Sequence, residues 1–258
     1  MRKRKSAQEW EGREFDPIEV VGLHTDGFGQ AISQRGVILA PNDYHYEAGV
    51  VSGGYNLVTN KTASQTGRQI IEAAQKDIVE EEMWFNGSHF RQRFTLGHAG
   101  TVAQGDDVSL VLDVVNSYDG TARYSIALNL VRLLCLNGMN VSNYLGGFSF
   151  KHSGESEDHV REVEIMVAKL TNVDPAPLVQ RFIQMSHTYS SLEQIMAAAK
   201  ACKVGSQTLG RALYNMENLG RPSKWDVYNA FTSVYRGLSP STQRCNEAIS
   251  THFLKEVA

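Results

Sequence analysis

At 258 residues, with 42% hydrophobic and 21% charged residues, the chain has the composition of an ordinary globular protein and enough length for a sizeable core. No apolar run approaches the roughly 18 residues of a membrane span. The net charge of -3 is not the strongly basic balance of a general nucleic-acid binder, so any such site must be a local patch.

Residues 1 to 15 read as a mobile basic arm. It opens on Arg2-Lys3-Arg4-Lys5, which suits nucleic-acid contact and simple solubility equally well. No hydrophobic segment follows it, so no secretory signal is expected. Gly22, Gly27 and Gly29 interrupt the next stretch. Residues 48 to 60 look like a strand pair or a bulged strand around Gly53-Gly54, and residues 65 to 82 like a helix carrying Ile70, Ile71, Ala74 and Ile78. Glu80-Glu81-Glu82 is then the solvated end of that helix.

Strand signals follow. Phe90, Phe94 and Leu96 alternate with Arg91, Arg93 and Thr95, and Val108 to Val115 is mostly apolar. Tyr118-Asp119-Gly120-Thr121 predicts a tight turn, since Asp-Gly suits the positive φ angles of a type I′ hairpin. Tyr124, Ile126, Leu128 and Leu130 then alternate with Arg123, Ser125, Ala127 and Asn129. Asn137-Gly138 offers a second turn, and Phe148 to Lys151 a short strand. From Glu155 the period becomes helical, with Val160, Val163, Val167 and Leu170 on one stripe, and Leu178, Phe182 and Met185 on the next. Ser190-Ser191-Leu192-Glu193 has the form of a capping box. Ser223 could cap a helix bearing Trp225, Tyr228 and Phe231, and Ile249, Phe253 and Val257 mark a last helix. The expected class is α+β: an antiparallel β-meander in the first half with a helical second half. Residues 16 to 152 form the sheet-rich core with a packed helix, and residues 153 to 258 a helical region of the same domain.

If the apolar rows face the helices, the other sheet face carries Arg91, Arg93, Thr95, Arg123, Ser125, Asn129, Ser149 and Lys151. Such a row can track a phosphate backbone. A plain solvated sheet surface is the commoner explanation, and Asp113, at or beside the same parity, weakens the patch. Other chemistry is poorly signalled. Cys135, Cys202 and Cys245 are far apart and odd in number, which favours free thiols in a reducing compartment. Cys135 with His152 could form a thiol and its base, but Leu133-Leu134-Cys135-Leu136 reads as core. His152 and His159 do not have metal-ligand spacing. Gly27-Phe28-Gly29 lacks the third glycine of a dinucleotide fingerprint, and no phosphate loop is present. No metal or cofactor is expected. Turn chemistry explains every residue type of Asn116-Ser117-Tyr118-Asp119-Gly120.

Five segments occur in a recognisable order: Tyr55 to Asn60, Asn116 to Gly120, Arg132 to Gly138, Lys151-His152 and Lys224 to Ala230. Together they resemble a phage- and plasmid-associated family of unknown function, DUF932, over roughly residues 36 to 235. The resemblance, with its strand-then-helix layout, suggests kinship to phage single-strand annealing proteins, which build rings or filaments from a β-meander with a helix across its back. That kinship implies an ATP-independent single-stranded DNA binding and annealing protein of a phage or plasmid recombination system. It would act as a homo-oligomer in the cytoplasm of a bacterial host. Arg91, Arg93, Arg123 and Lys151 would contact phosphates, with Arg132 in support. One alternative is an enzyme using Asn116, Asp119, Arg132, Asn137 and His152, with Asp119 or His152 carrying the proton. Another is an interaction protein that blocks a host defence factor.

Overall fold

Successive side chains of a strand leave opposite faces, so the period-two alternation of residues 90 to 130 demands a sheet with at least one buried face. The computed structural model describes residues 5–6, 17–25, 31–39, 46–52, 54–132, 137–139, 145–152, 157–235 and 240–255. Its strands are β1 (Lys5–Ser6), β2 (Pro17–Thr25), β3 (Ala31–Leu39), β4 (Tyr46–Ser52), β5 (Glu80–Phe85), β6 (His89–Ala103), β7 (Asp106–Ser117), β8 (Tyr124–Arg132), β9 (Asn137–Met139) and β10 (Gly147–Phe150). The main sheet has seven strands in the order β1-β5-β6-β7-β8-β10, with β9 also on β8. β10 pairs residues 124–127 of β8, and β9 pairs residues 130–132, both antiparallel. A second antiparallel sheet runs β2-β3-β4.

The helices are α1 (Asn60–Ala73), α2 (Glu157–Thr171), α3 (Ala176–Ser186), α4 (Leu192–Ala201), α5 (Ser206–Met216), α6 (Lys224–Val234) and α7 (Pro240–Lys255). Sheet in the first half and helices mostly in the second make this an α+β protein. Among the described residues no helix is long and apolar enough to cross a membrane.

The chain divides into two compact units. The first comprises Met1–Thr95, Leu112–Ala127 and Gly147–Asn172, and the second Leu96–Val111, Leu128–Gly146 and Val173–Ala258. In the first, Gly67 of α1 sits against Phe94 and Val114, and α2 packs on α1 and β10. Phe90, Phe94, Leu112, Val114, Ile126 and Met166 are all almost fully buried there. The second unit is centred on aromatic packing. Phe182 lies 4.8 Å from Trp225, Trp225 5.7 Å from Tyr228, and Tyr228 5.6 Å from Phe253, centroid to centroid. Such pairs contribute about 0.5–1.5 kcal/mol each beyond their area. The Tyr228 hydroxyl is satisfied by Ser250 Oγ at 2.9 Å.

Several local expectations give way to tertiary contacts. The helix expected over residues 65 to 82 is α1, which starts at the Thr59 cap and stops at Ala73. Gln75 takes a φ of 55°, and Lys76 N–H closes onto Ile71 O at 3.1 Å. Glu80 to Phe85 is therefore a strand, not a helix end, and Glu82 is buried opposite Arg93. Of residues 48 to 60, those at 48–52 belong to β4, those at 54–59 form no regular element and Asn60 opens α1, so no strand pair forms among the described residues, and Gly53 lies outside them. The Asp119-Gly120 hairpin forms, but through the longer connection 118–123, in which Gly120 has a φ of 71° and Asp119 caps Thr121 N–H at 3.0 Å. Asn137-Gly138 is no turn. Asn137 pairs with Arg132 and Gly138 with Val131, so both are strand residues. The capping box forms one residue later than expected, from Ser191 and Gln194, and Ser223 caps α6 with Asp226. β2, β3 and α5 were not anticipated: glycines interrupt each of those stretches. The arm over residues 1 to 15, Lys5–Ser6 apart, lies outside the described residues, as do Gly27 to Gly29, Cys135 and Val257.

Candidate nucleic-acid interface

β6 places Arg91 and Arg93 on the strand face opposite Phe90 and Phe94. β7 brings Asp113 between them. Arg91 Nη2 donates to Asp113 Oδ2 at 2.7 Å and its Nε to Oδ1 at 3.3 Å. Arg93 Nε donates to Oδ1 at 2.9 Å and its Nη2 to Oδ2 at 3.0 Å. The side chains of Arg93 and Asp113 are each 5% exposed, that of Arg91 21%. Trp84, opposite Arg91 in the β5–β6 ladder, has its ring centroid 5.8 Å from each guanidinium. Burial would raise the Asp113 pKa, but the guanidiniums of Arg91 and Arg93 outweigh it and hold the carboxyl well below the usual range. Burial also pulls the Arg91 pKa down, against the attraction of Asp113.

Arg132, at the end of β8, is engaged in the same way in the second unit. Its Nε and Nη2 donate to Asp106 Oδ1 and Oδ2 at 2.5 and 2.8 Å. The Trp225 indole N–H donates to Asp106 Oδ2 at 2.7 Å, and the guanidinium lies 6.0 Å from the Trp225 ring centroid. Asp106 is 4% exposed and Trp225 2%. The sequence marked Asp113 as a weakness of the patch, but nothing in it pointed to Asp106.

Arg123 and Lys151 sit differently. Phe150 pairs with Tyr124 in the β8–β10 ladder, so Lys151 and Arg123 stand opposite each other one step beyond its end. Both are exposed, and neither makes an ion pair or hydrogen bond among the described residues. Ser125 and Ser149 face one another two residues along, half-buried and exposed respectively. Asn129, farther along β8, is buried. The polar face expected from the alternation is thus open at the β8–β10 edge and closed at Arg91, Arg93 and Asn129.

The polar residues of the enzymatic alternative separate into two groups. In the first unit, Asn116 Nδ2 donates to Val58 O at 2.9 Å and Asn60 Oδ1 at 2.8 Å. His152 faces Asn56 O through Nδ1 at 3.2 Å, and its ring stacks on Tyr55 at 4.5 Å. The Tyr55 hydroxyl donates to Ser117 O at 2.9 Å. The segments 55–60, 116–120 and 151–152, distant in sequence, therefore interlock. Burial lowers the His152 pKa, while hydrogen bonds to the Asn56 and Ala122 backbones oppose it. Asn116 is fully buried and His152 only 7% exposed, so the cluster has the character of a brace. Gly49 passes so close that a Cβ there would lie 2.5 Å from Tyr118 O. In the second unit, Arg132 and Asn137 pair across β8 and β9.

Asp119 has His89 and Thr121 beside it, a trio that invites a nucleophile hypothesis. His89 Nε2 is 2.6 Å from Thr121 Oγ1 and 3.5 Å from Asp119 Oδ2. However, Thr121 Oγ1 donates to Asp119 Oδ1 at 2.7 Å. Asn86 Oδ1 accepts from Ser88 N–H and His89 N–H, which turns the Asn86 amide nitrogen toward His89 Nδ1, 3.3 Å away. Nδ1 is then the acceptor and Nε2 carries the proton, the reverse of what a base must do to take the threonine proton. Among the described residues no three His, Cys, Asp or Glu side chains converge as a metal site.

The family described as a domain of unknown function (DUF932) matches residues 47–234 of the chain, which run from β4 to the end of α6. No curated protein and no solved structure matches it.

Proposed function

We propose, from the premise that this chain belongs to the DUF932 family, that it binds single-stranded DNA through the open β8–β10 edge and promotes annealing without ATP. The observation that carries this is the exposed pair Arg123 and Lys151, flanked by Ser125 and Ser149 on the same strand faces. Two exposed cations without a partner among the described residues, with hydroxyls beside them, form a short track for a phosphate backbone. Arg91 and Arg93 support this track indirectly: their charges go to Asp113 and stiffen β6 and β7 of the same unit, while Arg132 is engaged by Asp106 in the second unit. β10 ends the strand order of the main sheet among the described residues, and its outer edge offers a second copy a place to continue the track in a ring or filament. A phage or plasmid recombination system in the cytoplasm of a bacterial host is the setting for such an activity. The enzymatic alternative has less support, because Asn116 and His152 are enclosed and engaged in holding loops together.

The test is fluorescence anisotropy of single-stranded oligonucleotides across a salt series, comparing the protein with an Arg123→Ala/Lys151→Ala variant. Loss of two phosphate contacts should flatten the log–log salt slope by about 1.4. An unchanged slope, or no binding at low salt, overturns the proposal and turns attention to a protein partner such as a host defence factor.

A further inference from the structure

The second unit contains an arrangement that the single-strand track does not use. α4 and α5 are separated by the four residues Cys202-Lys203-Val204-Gly205, the connection length of a DNA-binding helix-turn-helix. The turn is built for a sharp change of direction. Lys203 takes a left-handed φ of 54°, and Val204 N–H closes back onto Ala199 O at 2.8 Å, which ends α4 in a Schellman-type cap. Gly205, in extended conformation, then starts α5, with Leu209 N–H donating to Gly205 O at 2.9 Å.

The inner faces are small. Ala198, Ala199 and Cys202 of the first helix and its cap, and Ala212 of the second, are all buried. Ile195 of α4 and Leu213 and Met216 of α5 line one common groove of about 560 Å³, and the inner side of α5 packs along α6.

One face of α5 is exposed along a groove of about 520 Å³ that it lines with Ser233 and Val234 of α6, and its composition points to one class of ligand. Ser206, Gln207, Gly210, Arg211 and Tyr214 are all exposed, Tyr214 to 74%. They occupy the first, second, fifth, sixth and ninth positions of the helix, a single stripe beginning at its N-terminal end. Those are the positions a recognition helix turns toward base edges in a major groove. Nothing lies within 4 Å of a Cβ built on Gly210, so the centre of the stripe is unobstructed. The sequence segment that contains the two helices is cationic, which suits a polyanion. Residues 187–224 carry Lys200, Lys203, Arg211, Arg221 and Lys224 against Glu193 and Glu217. That is a local balance of +3 in a chain whose net charge is -3.

We propose that α4, the Cys202–Gly205 turn and α5 form a helix-turn-helix that binds duplex DNA, with α5 in the major groove and Gln207 and Arg211 reading base edges. Glutamine matches the donor–acceptor pair of adenine, and arginine the two acceptors of guanine. Ser206 and the lysines at the turn contact the flanking phosphates and set the register. This inference is independent of the single-strand track: it uses other residues and another form of DNA.

The full-length protein should be challenged with a random-sequence duplex library, and the selected duplexes measured by anisotropy against scrambled duplexes and against each single strand. A preferred duplex is expected, bound at least about tenfold more tightly than the scrambled one. Arg211→Ala should relax the preference at a guanine position, and Gln207→Ala at an adenine position, with the melting temperature unchanged because both side chains are exposed. Arg123→Ala/Lys151→Ala should leave duplex selectivity intact, which separates failure of this proposal from failure of the single-strand one. No duplex binding at low salt, binding without sequence preference, or a preference that survives Gln207→Ala/Arg211→Ala overturns the helix-turn-helix proposal.

Discussion

Two carboxylates on β7, seven residues apart, are buried in different company. Asp113 lies in the first unit between the guanidiniums of two β6 residues, Arg91 and Arg93, with Trp84 facing both. Buried Glu82 stands directly opposite Arg93 in the ladder. Asp106 lies in the second unit and takes one guanidinium and one indole N–H, the latter from a helix 119 positions away in sequence. The first cluster ties neighbouring strands to one another. The second ties a helix to a strand of its own unit. A carboxylate shared by two guanidiniums, one of them 5% exposed, is hard to remove, because its deletion strands two cations. One held by a single guanidinium, 20% exposed, and a neutral indole donor strands only one, which water reaches.

Asp113→Ala should therefore show the largest effect, a loss of about 3–5 kcal/mol in urea unfolding, since Arg91 and Arg93 lose their shared counter-ion. A loss under about 1 kcal/mol would mean that solvent or Glu82 takes over, and the contrast between the clusters would disappear. Trp225→Phe keeps an aromatic ring but removes the N–H donor to Asp106. About 1.5–3 kcal/mol is expected, the value of a hydrogen bond to a charged group. An effect larger than that of Asp113→Ala would reverse the ranking.

Acidity should separate two contributions within the first unit. The His152 pKa is lowered in the fold, so the unfolded chain binds the proton more readily and stability falls as pH drops below about 6.5, the unfolded value. Asp113, also lowered, contributes fully above the unfolded carboxylate value of about 3.9 and loses that contribution only as pH falls further. His152→Phe should flatten the first slope in a denaturation series carried from pH 7 to about 2 and leave the second, below about 3.9. Some slope should persist, because burial lowers the His159 pKa as well. If the slope in the variant is unchanged, His152 is not its source. The smallest stability effect belongs to Arg123→Ala and Lys151→Ala, within about 0.5 kcal/mol, although these substitutions should weaken single-strand binding the most. A large loss of stability there would show that the pair is structural.

Much of the framework was legible because periodicity is a local property. The alternation around Phe90 and Phe94, and around Tyr124 to Leu130, announced β6 and β8. The Leu178, Phe182 and Met185 stripe announced α3, and the Ser223 cap with Trp225, Tyr228 and Phe231 announced α6. Local signals misled where two structures suit the same residues. Asn137-Gly138 fits a turn, but pairing of Asn137 with Arg132 makes it strand. Ile78 continues the spacing of α1, but Gln75 has already ended that helix and the chain joins β6 as β5. α5 escaped notice because Gly205 and Gly210 interrupt its apolar pattern.

Residue order alone assigns which residues share a strand face or a helix stripe, since those spacings follow from 2.0 and 3.6 residues per repeat. It also assigns the α+β class, through the change of period near Glu155. Which part of the polar face meets water depends on the strands that pack beside it. Arg91, Arg93, Arg123 and Lys151 have the same parity in the sequence, yet Asp113 on the next strand closes over the first two and leaves the last two open. The helix-to-strand lock of Trp225 on Asp106 was likewise beyond the sequence, because a pair 119 residues apart leaves no periodic trace. Burying a charge requires a partner, and where that partner comes from is set by chain topology, which no local pattern encodes.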